Sequence, residues 1–201
     1  RYYLYSQWLA FEQVKNMVER SRARGVTIYF DLPLGVHPDG YDVWREGSLF
    51  SLKASVGAPP DAVFTNGQNW GFPPFHPESV RRQQYSYVIA YIRHHLRYAG
   101  MLRLDHVMGM HHLYWIPQGV ENSGGMYVRY RPDELYAIMT LESQRHRSLI
   151  VGEDLGIVPG YVRPAMARHG LHRMYVLRYE LADNDFNAIN RVHTRSVASL
   201  N

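Results

Sequence analysis

The 201-residue chain contains no cysteine, only two lysines (Lys15 and Lys53), and no apolar run of the length that crosses a membrane. The absence of cysteine excludes disulfide bonds, thiolate metal ligands and a cysteine nucleophile, and it favours a cytoplasmic protein. No charged segment followed by an apolar one opens the sequence, so we expect neither a secretory signal nor a membrane partner. The 22 basic and 18 acidic residues are scattered along the chain, which predicts a solvated surface and no nucleic-acid partner.

Apolar residues make up 46% of the sequence and charged residues 20%, which is typical of a globular domain or part of one. Aromatic residues make up 13%, including sixteen tyrosines and four tryptophans. Rings that also carry polar groups are suited to stacking on sugars, although most of these rings are expected to pack in the core.

Three short apolar segments each end on a carboxylate, at Asp31, Asp105 and Glu153. The segments cover residues 26–31, 101–105 and 148–153. Apolar runs of this length are typical of buried parallel strands. In a (β/α) barrel the carboxyl ends of the strands open onto the catalytic face. We therefore expect the three carboxylates to converge on one site, and pairs of carboxylates are typical of glycoside chemistry.

Helical patterns alternate with these strands, which predicts an α/β fold with a parallel sheet. We expect helices near residues 7–24, 79–98, 133–146 and 159–169, and a fourth strand at 174–179. Residues 32–78 are dense in glycine and proline and predict a long irregular loop. Four strands do not close an eight-stranded barrel. We therefore interpret residues 1–201 as a single fragment of a (β/α)8 TIM barrel, with sequence missing at both ends.

Asp105 lies two residues after Arg103, so both side chains point to the same side of their strand. A neighbouring cation keeps a carboxylate ionised, and an ionised Asp at a strand end is a candidate nucleophile for an anomeric carbon. His106 is placed to bind a sugar hydroxyl. The alternative is an Arg–Asp pair that only stabilises the sheet.

Glu153 and Asp154 lie between two glycines at the end of the third strand. A glutamate near other negative charge has a raised pKa, as a general acid requires. The alternative is that Glu153 is solvated and Asp154 only caps the following turn. For Asp31, a sugar ligand and a structural anchor are equally good interpretations.

Two other groups of residues have the composition of metal sites, but we expect no metal and no cofactor. His106, His111 and His112 lie close in sequence, yet adjacent histidines point in different directions and lack carboxylate partners at ligand spacing. Asp183-Asn184-Asp185 matches only part of a calcium loop, and we interpret it as a turn.

Five motifs occur in order, and together they resemble the 4-alpha-glucanotransferases, the amylomaltase or disproportionating enzymes. They are Gly57-Ala58-Pro59-Pro60-Asp61, Gly67-Gln68-Asn69-Trp70-Gly71, Arg103-Leu104-Asp105-His106 with Gly109, Tyr114-Trp115-Ile116-Pro117, and Gly152-Glu153-Asp154-Leu155-Gly156. The resemblance extends from Asp31 to about Tyr179. Each motif is modest by itself, and the order of all five is specific.

The resemblance implies a barrel with inserted segments that transfers α-1,4-glucan chains by a retaining double displacement. It implies Asp105 as the nucleophile and Glu153 as the acid/base catalyst. Arg103 and His106 are then expected to flank the reacting sugar. The residues expected to line the donor subsites, partly on the 32–78 substrate-binding loop, are Asp31, Asp61, Gln68, Trp70 and Asp154.

The family also uses a third carboxylate in a His-Asp-Asn segment, and the sequence contains no such segment. We therefore expect this chain to be inactive by itself. Three other functions are compatible with parts of the sequence: an α-amylase-type retaining hydrolase, a non-catalytic glucan-binding module and a metal-dependent barrel hydrolase.

Overall fold

A computed structural model describes residues 1–181 and 192–199 of the chain. Its strands are β1 (Tyr29–Leu32), β2 (Ala54–Ala58), β3 (Gln68–Asn69), β4 (Met101–Leu104), β5 (His112–Pro117), β6 (Met126–Arg129), β7 (Leu149–Gly152), β8 (His172–Val176) and β9 (Ser196–Ser199). Its helices are α1 (Tyr2–Arg22), α2 (Tyr41–Glu46), α3 (Pro77–Arg82), α4 (Ser86–Leu96), α5 (Pro132–His146), α6 (Val162–Arg168) and α7 (Leu177–Glu180).

The larger sheet is parallel and has the strand order β1-β4-β7-β8-β9. Leu102 and Leu104 of β4 and Ile150 of β7 point to one side, into a core that α4, α5 and α6 complete. The opposite side corresponds to the interior of a barrel. The α/β fold and the partial TIM barrel are confirmed, and the described residues form an open sheet. The fifth strand, β9, was not predicted because its Ser-Val-Ala-Ser sequence is not an apolar run.

A second, antiparallel sheet has the order β3-β2-β5-β6. It contains two strands from residues 32–78, where the sequence predicted only irregular structure, and two from the region between β4 and α5. The strand β2 reads Ala-Ser-Val-Gly-Ala, and of its side chains only Val56 is a large apolar one. Such a strand is stabilised by pairing with its neighbours and gives little signal in the sequence.

Several element ends differ from the sequence predictions. The helix predicted at 79–98 is two helices, α3 and α4, because Gln84 and Tyr85 adopt left-handed backbone angles with φ of 53° and 56°. The predicted fourth strand is β8, which ends at Val176 and is followed by the short helix α7. The predicted turn at Asp183-Asn184-Asp185 lies outside the described residues. Among the described helices, none combines the length and the apolar character that a bilayer span requires.

Candidate active site

Asp105 and Glu153 directly follow two paired parallel strands. Leu104 at the end of β4 is in register with Gly152 at the end of β7. The backbone N–H of Glu153 donates to the carbonyl of Leu104 over 2.9 Å, which continues this pairing to the next residue. The two acidic residues therefore lie side by side on strands spaced about 4.8 Å apart, and both point to the barrel-interior side of the sheet.

Arg103 joins two of the predicted carboxylates. Its Nη1 lies 2.7 Å from Oδ1 of Asp31, and its Nη2 lies 2.7 Å from Oδ1 of Asp105. The side chains of Asp31 and Asp105 remain 60% and 39% exposed, so this is not a buried pair. Nε of Arg103 also donates to Sδ of Met174 on β8 over 3.4 Å. The guanidinium thus fixes Asp105 while leaving part of its carboxylate accessible.

Glu153 is partly buried next to Asp105. Burial raises the pKa of the Glu153 carboxyl, and the negative charge of Asp105 raises it further. Two backbone N–H groups oppose this: His106 donates to Oε2 over 3.0 Å, and Leu155 donates to Oε1 over 2.8 Å. The net direction is upward, as suits a carboxyl group that releases and recovers a proton.

His106 is held in a left-handed conformation, with φ of 49° and ψ of 68°. Its ring packs edge-on against Trp70, with the ring centroids 5.3 Å apart. Burial lowers the pKa of His106 to about 4. The negative charge of Asp105 acts to raise this pKa, but its effect is smaller than that of burial. The imidazole is therefore neutral at pH 7 and can act as both a hydrogen-bond donor and an acceptor.

Trp70 and Gln68 reach the site from the second sheet. Nε1 of Trp70 donates to Oε1 of Gln68 over 3.4 Å, and the Trp70 backbone N–H donates to Val56 over 2.9 Å. The close pairing of β2 with β3 depends on Gly57, where an added Cβ would lie 2.0 Å from the carbonyl oxygen of Gln68. A glycine in β2 thus allows the approach that brings Trp70 against His106.

Asp154 points to the other side of the sheet from Glu153, as alternation along a strand requires. Its carboxylate is fully buried. Oδ2 accepts from Nε of Arg163 and Nε of Arg173 over 2.9 and 2.7 Å. Oδ1 accepts from the backbone N–H of Met174 over 3.1 Å. The side chain lies in the layer between the sheet and α6, away from the carboxylates of the candidate site.

Asp61 also lies apart from the Arg103 cluster. Its Oδ1 accepts from the backbone N–H groups of Val63 and Phe64 over 2.8 and 2.5 Å, which closes a tight turn. The structure thus brings together seven of the sequence-predicted site residues and leaves two outside this group. The seven are Asp31, Gln68, Trp70, Arg103, Asp105, His106 and Glu153.

The backbone donors that hold Glu153 were not foreseen, because backbone hydrogen bonding at a strand end leaves no residue signature. The histidines that resembled a metal site have other partners. His111 Nε2 lies 3.1 Å from the Tyr136 hydroxyl, and His112 Nδ1 lies 3.0 Å from that of Tyr161. Within residues 1–181 and 192–199, no three His, Asp or Glu side chains are arranged to hold a metal ion.

A family model described as 4-alpha-glucanotransferase matches residues 1–201. A 4-alpha-glucanotransferase of Haemophilus influenzae is 36% identical over 210 aligned residues, which cover all of this chain and 30% of the relative. One from Mycobacterium bovis is 38% identical over 176 residues, which cover 87% of this chain and 24% of the relative. The chain therefore spans about a quarter to a third of the length of these relatives.

Solved structures show the same similarity. Amylomaltase from Corynebacterium glutamicum superimposes with a TM-score of 0.90 at 30% identity, covering 99% of this chain and 29% of that one. Amylomaltase from Streptococcus agalactiae, solved in complex with acarbose, gives a TM-score of 0.86 at 22% identity. That match covers 96% of this chain and 40% of the solved one, and at its low identity it bears on the fold alone.

Proposed function

The chain belongs to the 4-alpha-glucanotransferase family, and we propose on this premise that it carries the nucleophile and the acid/base catalyst of a retaining glucan transfer. The supporting observation is the pairing of Leu104 with Gly152, which sets Asp105 beside Glu153 in two different environments. Arg103 binds Asp105, whereas burial raises the pKa of Glu153. One group is suited to attack and the other to proton transfer.

In the first step, a carboxylate oxygen of Asp105 attacks the anomeric carbon of an α-1,4-glucan. The glycosidic C–O bond breaks, and Glu153 gives its proton to the departing oxygen. The products are a β-glucosyl ester on Asp105, a released glucan and an ionised Glu153. A separation of about 5–5.5 Å between the two carboxyl groups is expected for this geometry.

In the second step, ionised Glu153 takes the proton from the 4-hydroxyl of an acceptor glucan. The hydroxyl oxygen attacks the anomeric carbon and displaces the carboxylate of Asp105. Two inversions give net retention and restore both catalytic groups. Transfer competes with hydrolysis, and exclusion of water from the site favours the acceptor glucan.

The remaining site residues are proposed as sugar ligands. Asp31, Arg103 and neutral His106 provide hydrogen-bonding groups near Asp105, and Trp70 with Gln68 provides a ring and an amide on the facing sheet. Residues 32–78 are then a substrate-binding insertion in the catalytic barrel to which 1–201 belongs. A chain without cysteine suits a reducing compartment, and we propose the cytoplasm as its location.

Asp154 is proposed as a positioning residue, which differs from the sugar-binding role that the sequence resemblance implied. Both of its carboxylate oxygens have intramolecular partners, and the side chain is fully buried. It therefore fixes the backbone on the C-terminal side of Glu153. Asp61 remains a proposed ligand at the edge of the site, where its turn forms part of a cleft next to Leu155.

The test is the product pattern of the full protein with maltotriose, together with the anomeric configuration of new bonds by NMR. We expect longer α-linked oligosaccharides beside glucose and maltose, and the Asp105→Asn variant should lose this activity. Products that are only shorter than maltotriose would identify a hydrolase. Binding of maltotriose without turnover would identify a glucan-binding module.

A further inference from the structure

A cleft with a cavity volume of about 240 Å³ lies between α6, the start of β8 and the segment that leads into β9. It is on the side of the larger sheet to which Asp154 points, away from the candidate site. We infer that this cleft binds an anion that carries a phosphate group, either inorganic phosphate or a phosphorylated sugar. We call it the basic cleft, and its polar lining residues are Arg163, Arg173, His193 and Arg195.

The basic cleft has an excess of positive charge. Its lining, as far as the structure describes it, includes three arginines and no acidic residue. The carboxylate of Asp154, behind this lining, is fully buried and is shared by Arg163 and Arg173. Within residues 1–181 and 192–199, Arg195 has no carboxylate at ion-pair distance. One carboxylate against three guanidinium groups, which remain protonated in proteins, leaves two positive charges uncompensated in this part of the chain.

Asp154 fixes two of the guanidinium groups without using all their donors. Nε of Arg163 and Nε of Arg173 lie 2.9 and 2.7 Å from Oδ2 of Asp154. Nη2 of Arg163 donates to the backbone carbonyl of Asp154 over 3.2 Å. In the described part of the chain, Nη1 of Arg163 and both terminal nitrogens of Arg173 have no hydrogen-bond partner. Because the Nε atoms are already held, these two side chains lose little conformational entropy when a ligand binds.

The segment before β9 adds two more donor side chains. The backbone N–H of Arg173 donates to the carbonyl of Arg195 over 2.9 Å, which fixes this segment beside β8. The N–H of Arg195 donates to Nδ1 of His193 over 3.1 Å. Since Nδ1 is an acceptor, the proton of the neutral imidazole lies on Nε2. Neither His193 Nε2 nor the Arg195 guanidinium has a hydrogen-bond partner among the residues that the structure describes, and both residues are exposed.

These groups favour a phosphate over other ligands. A planar guanidinium donates two parallel hydrogen bonds to a phosphate, and arginine is the residue most suited to this contact. The unpaired donors lie on four side chains, and a phosphate group presents more acceptor oxygens than a carboxylate does. A neutral glucan would leave the positive charges uncompensated. The volume is below the range of about 300–1,000 Å³ that is typical of larger ligands, so we expect a small anion.

The experiment titrates the full protein with inorganic phosphate, glucose 6-phosphate and glucose by isothermal titration calorimetry at constant ionic strength. We expect saturable binding of at least one of the two phosphate compounds at this cleft. Tighter binding of glucose 6-phosphate would identify a phosphorylated sugar as the ligand class, and tighter binding of inorganic phosphate would identify the free ion. Glucose itself should not compete with either one, because it has no charge to offer the arginines.

Two variants separate binding from folding. Arg195→Gln removes one exposed cation that no described side chain binds, so the fold should be retained, and Kd for phosphate should rise about tenfold, or about 1.4 kcal/mol. Arg24→Gln removes a similarly exposed arginine after α1 and should leave Kd unchanged. Thermal unfolding gives a second readout, because a ligand of the folded state raises the midpoint. Phosphate should raise it less in Arg195→Gln than in Arg24→Gln.

Absence of saturable binding in the wild type would overturn the inference. So would equal Kd values in Arg195→Gln and Arg24→Gln, because the phosphate would then bind elsewhere on the protein. The readouts are binding and unfolding, and neither requires turnover of a glucan. The inference therefore stands or falls independently of the proposed function.

Discussion

Nη2 of Arg103 lies 2.7 Å from Oδ1 of Asp105, which directly follows the strand β4 that carries Arg103. The other terminal nitrogen, Nη1, lies 2.7 Å from Oδ1 of Asp31. Both terminal nitrogens of Arg103 are therefore held by carboxylates. The proposed nucleophile is therefore held by a planar group that lies on the barrel-interior side of the sheet. Because one planar guanidinium bridges two carboxylates, this contact depends on the geometry of arginine and not on its charge alone.

Replacing Arg103 with lysine should weaken transfer while keeping the charge. An ammonium group cannot hold Asp31 and Asp105 in the same geometry, and loss of one charged hydrogen bond costs about 1.5–3 kcal/mol. We expect kcat/KM for transfer to fall by about tenfold to a hundredfold. Arg45→Lys, on the exposed side of α2, is the matched control. An unchanged rate in Arg103→Lys would show that transfer does not require the guanidinium bridge between Asp31 and Asp105.

Replacing Asp154 with alanine should destabilise the protein. The substitution removes the buried carboxylate shared by Arg163 and Arg173, which are 47% and 28% exposed, and loss of such charged hydrogen bonds costs about 1.5–3 kcal/mol. The free energy of unfolding from urea titration measures this loss. Asp39→Ala, at an exposed position, should change it by less than about 0.5 kcal/mol. If the Asp154→Ala protein were as stable as the wild type but bound glucan more weakly, Asp154 would instead be a sugar ligand.

Replacing Gly57 with alanine should damage the site through the second sheet. The added Cβ would meet the backbone carbonyl of Gln68 at 2.0 Å, so β3 must move and carry Trp70 with it. We expect KM for glucan to rise, and the fluorescence of Trp70 to change, in the Gly57→Ala protein. Gly47→Ala is the control because an added Cβ there meets nothing within 4 Å. Identical KM values in the two variants would contradict the proposed role of Trp70.

The pH dependence of stability should carry a contribution from His106. Its pKa is about 4 in the folded protein and about 6.5 when unfolded, so the unfolded state binds an additional proton between these values. The stabilisation is present above the unfolded pKa and is lost as the pH falls from about 6.5 to about 4. Asparagine tolerates the left-handed conformation, so His106→Asn should make the unfolding free energy less dependent on pH in this window.

The other histidines with lowered pKa remain in both proteins, so the difference between the two curves isolates His106. They are His94, His111 and His112. Parallel curves for wild type and His106→Asn between pH 4 and 6.5 would show that the ring titrates alike in the folded and unfolded states.

The sequence predicted the parallel strands because buried β4 and β7 are continuous apolar runs that end on acids. It did not predict the second sheet, because β2 is built from small residues and is stabilised by its partners. The sequence also did not predict that Glu153 would be accessible and Asp154 buried. Adjacent acids look equivalent in a sequence, and only the pleat of the strand and the position of α6 decide that one is accessible and the other buried.

Trapping the covalent intermediate tests the central proposal most directly. In the full protein carrying Glu153→Gln, an activated donor such as α-maltotriosyl fluoride should form the ester, and removal of the acid/base catalyst should slow its breakdown. Peptide mass spectrometry should then locate a maltotriosyl group on Asp105. A label on any other carboxylate, or turnover with inverted configuration, would contradict the assignment of Asp105 and Glu153.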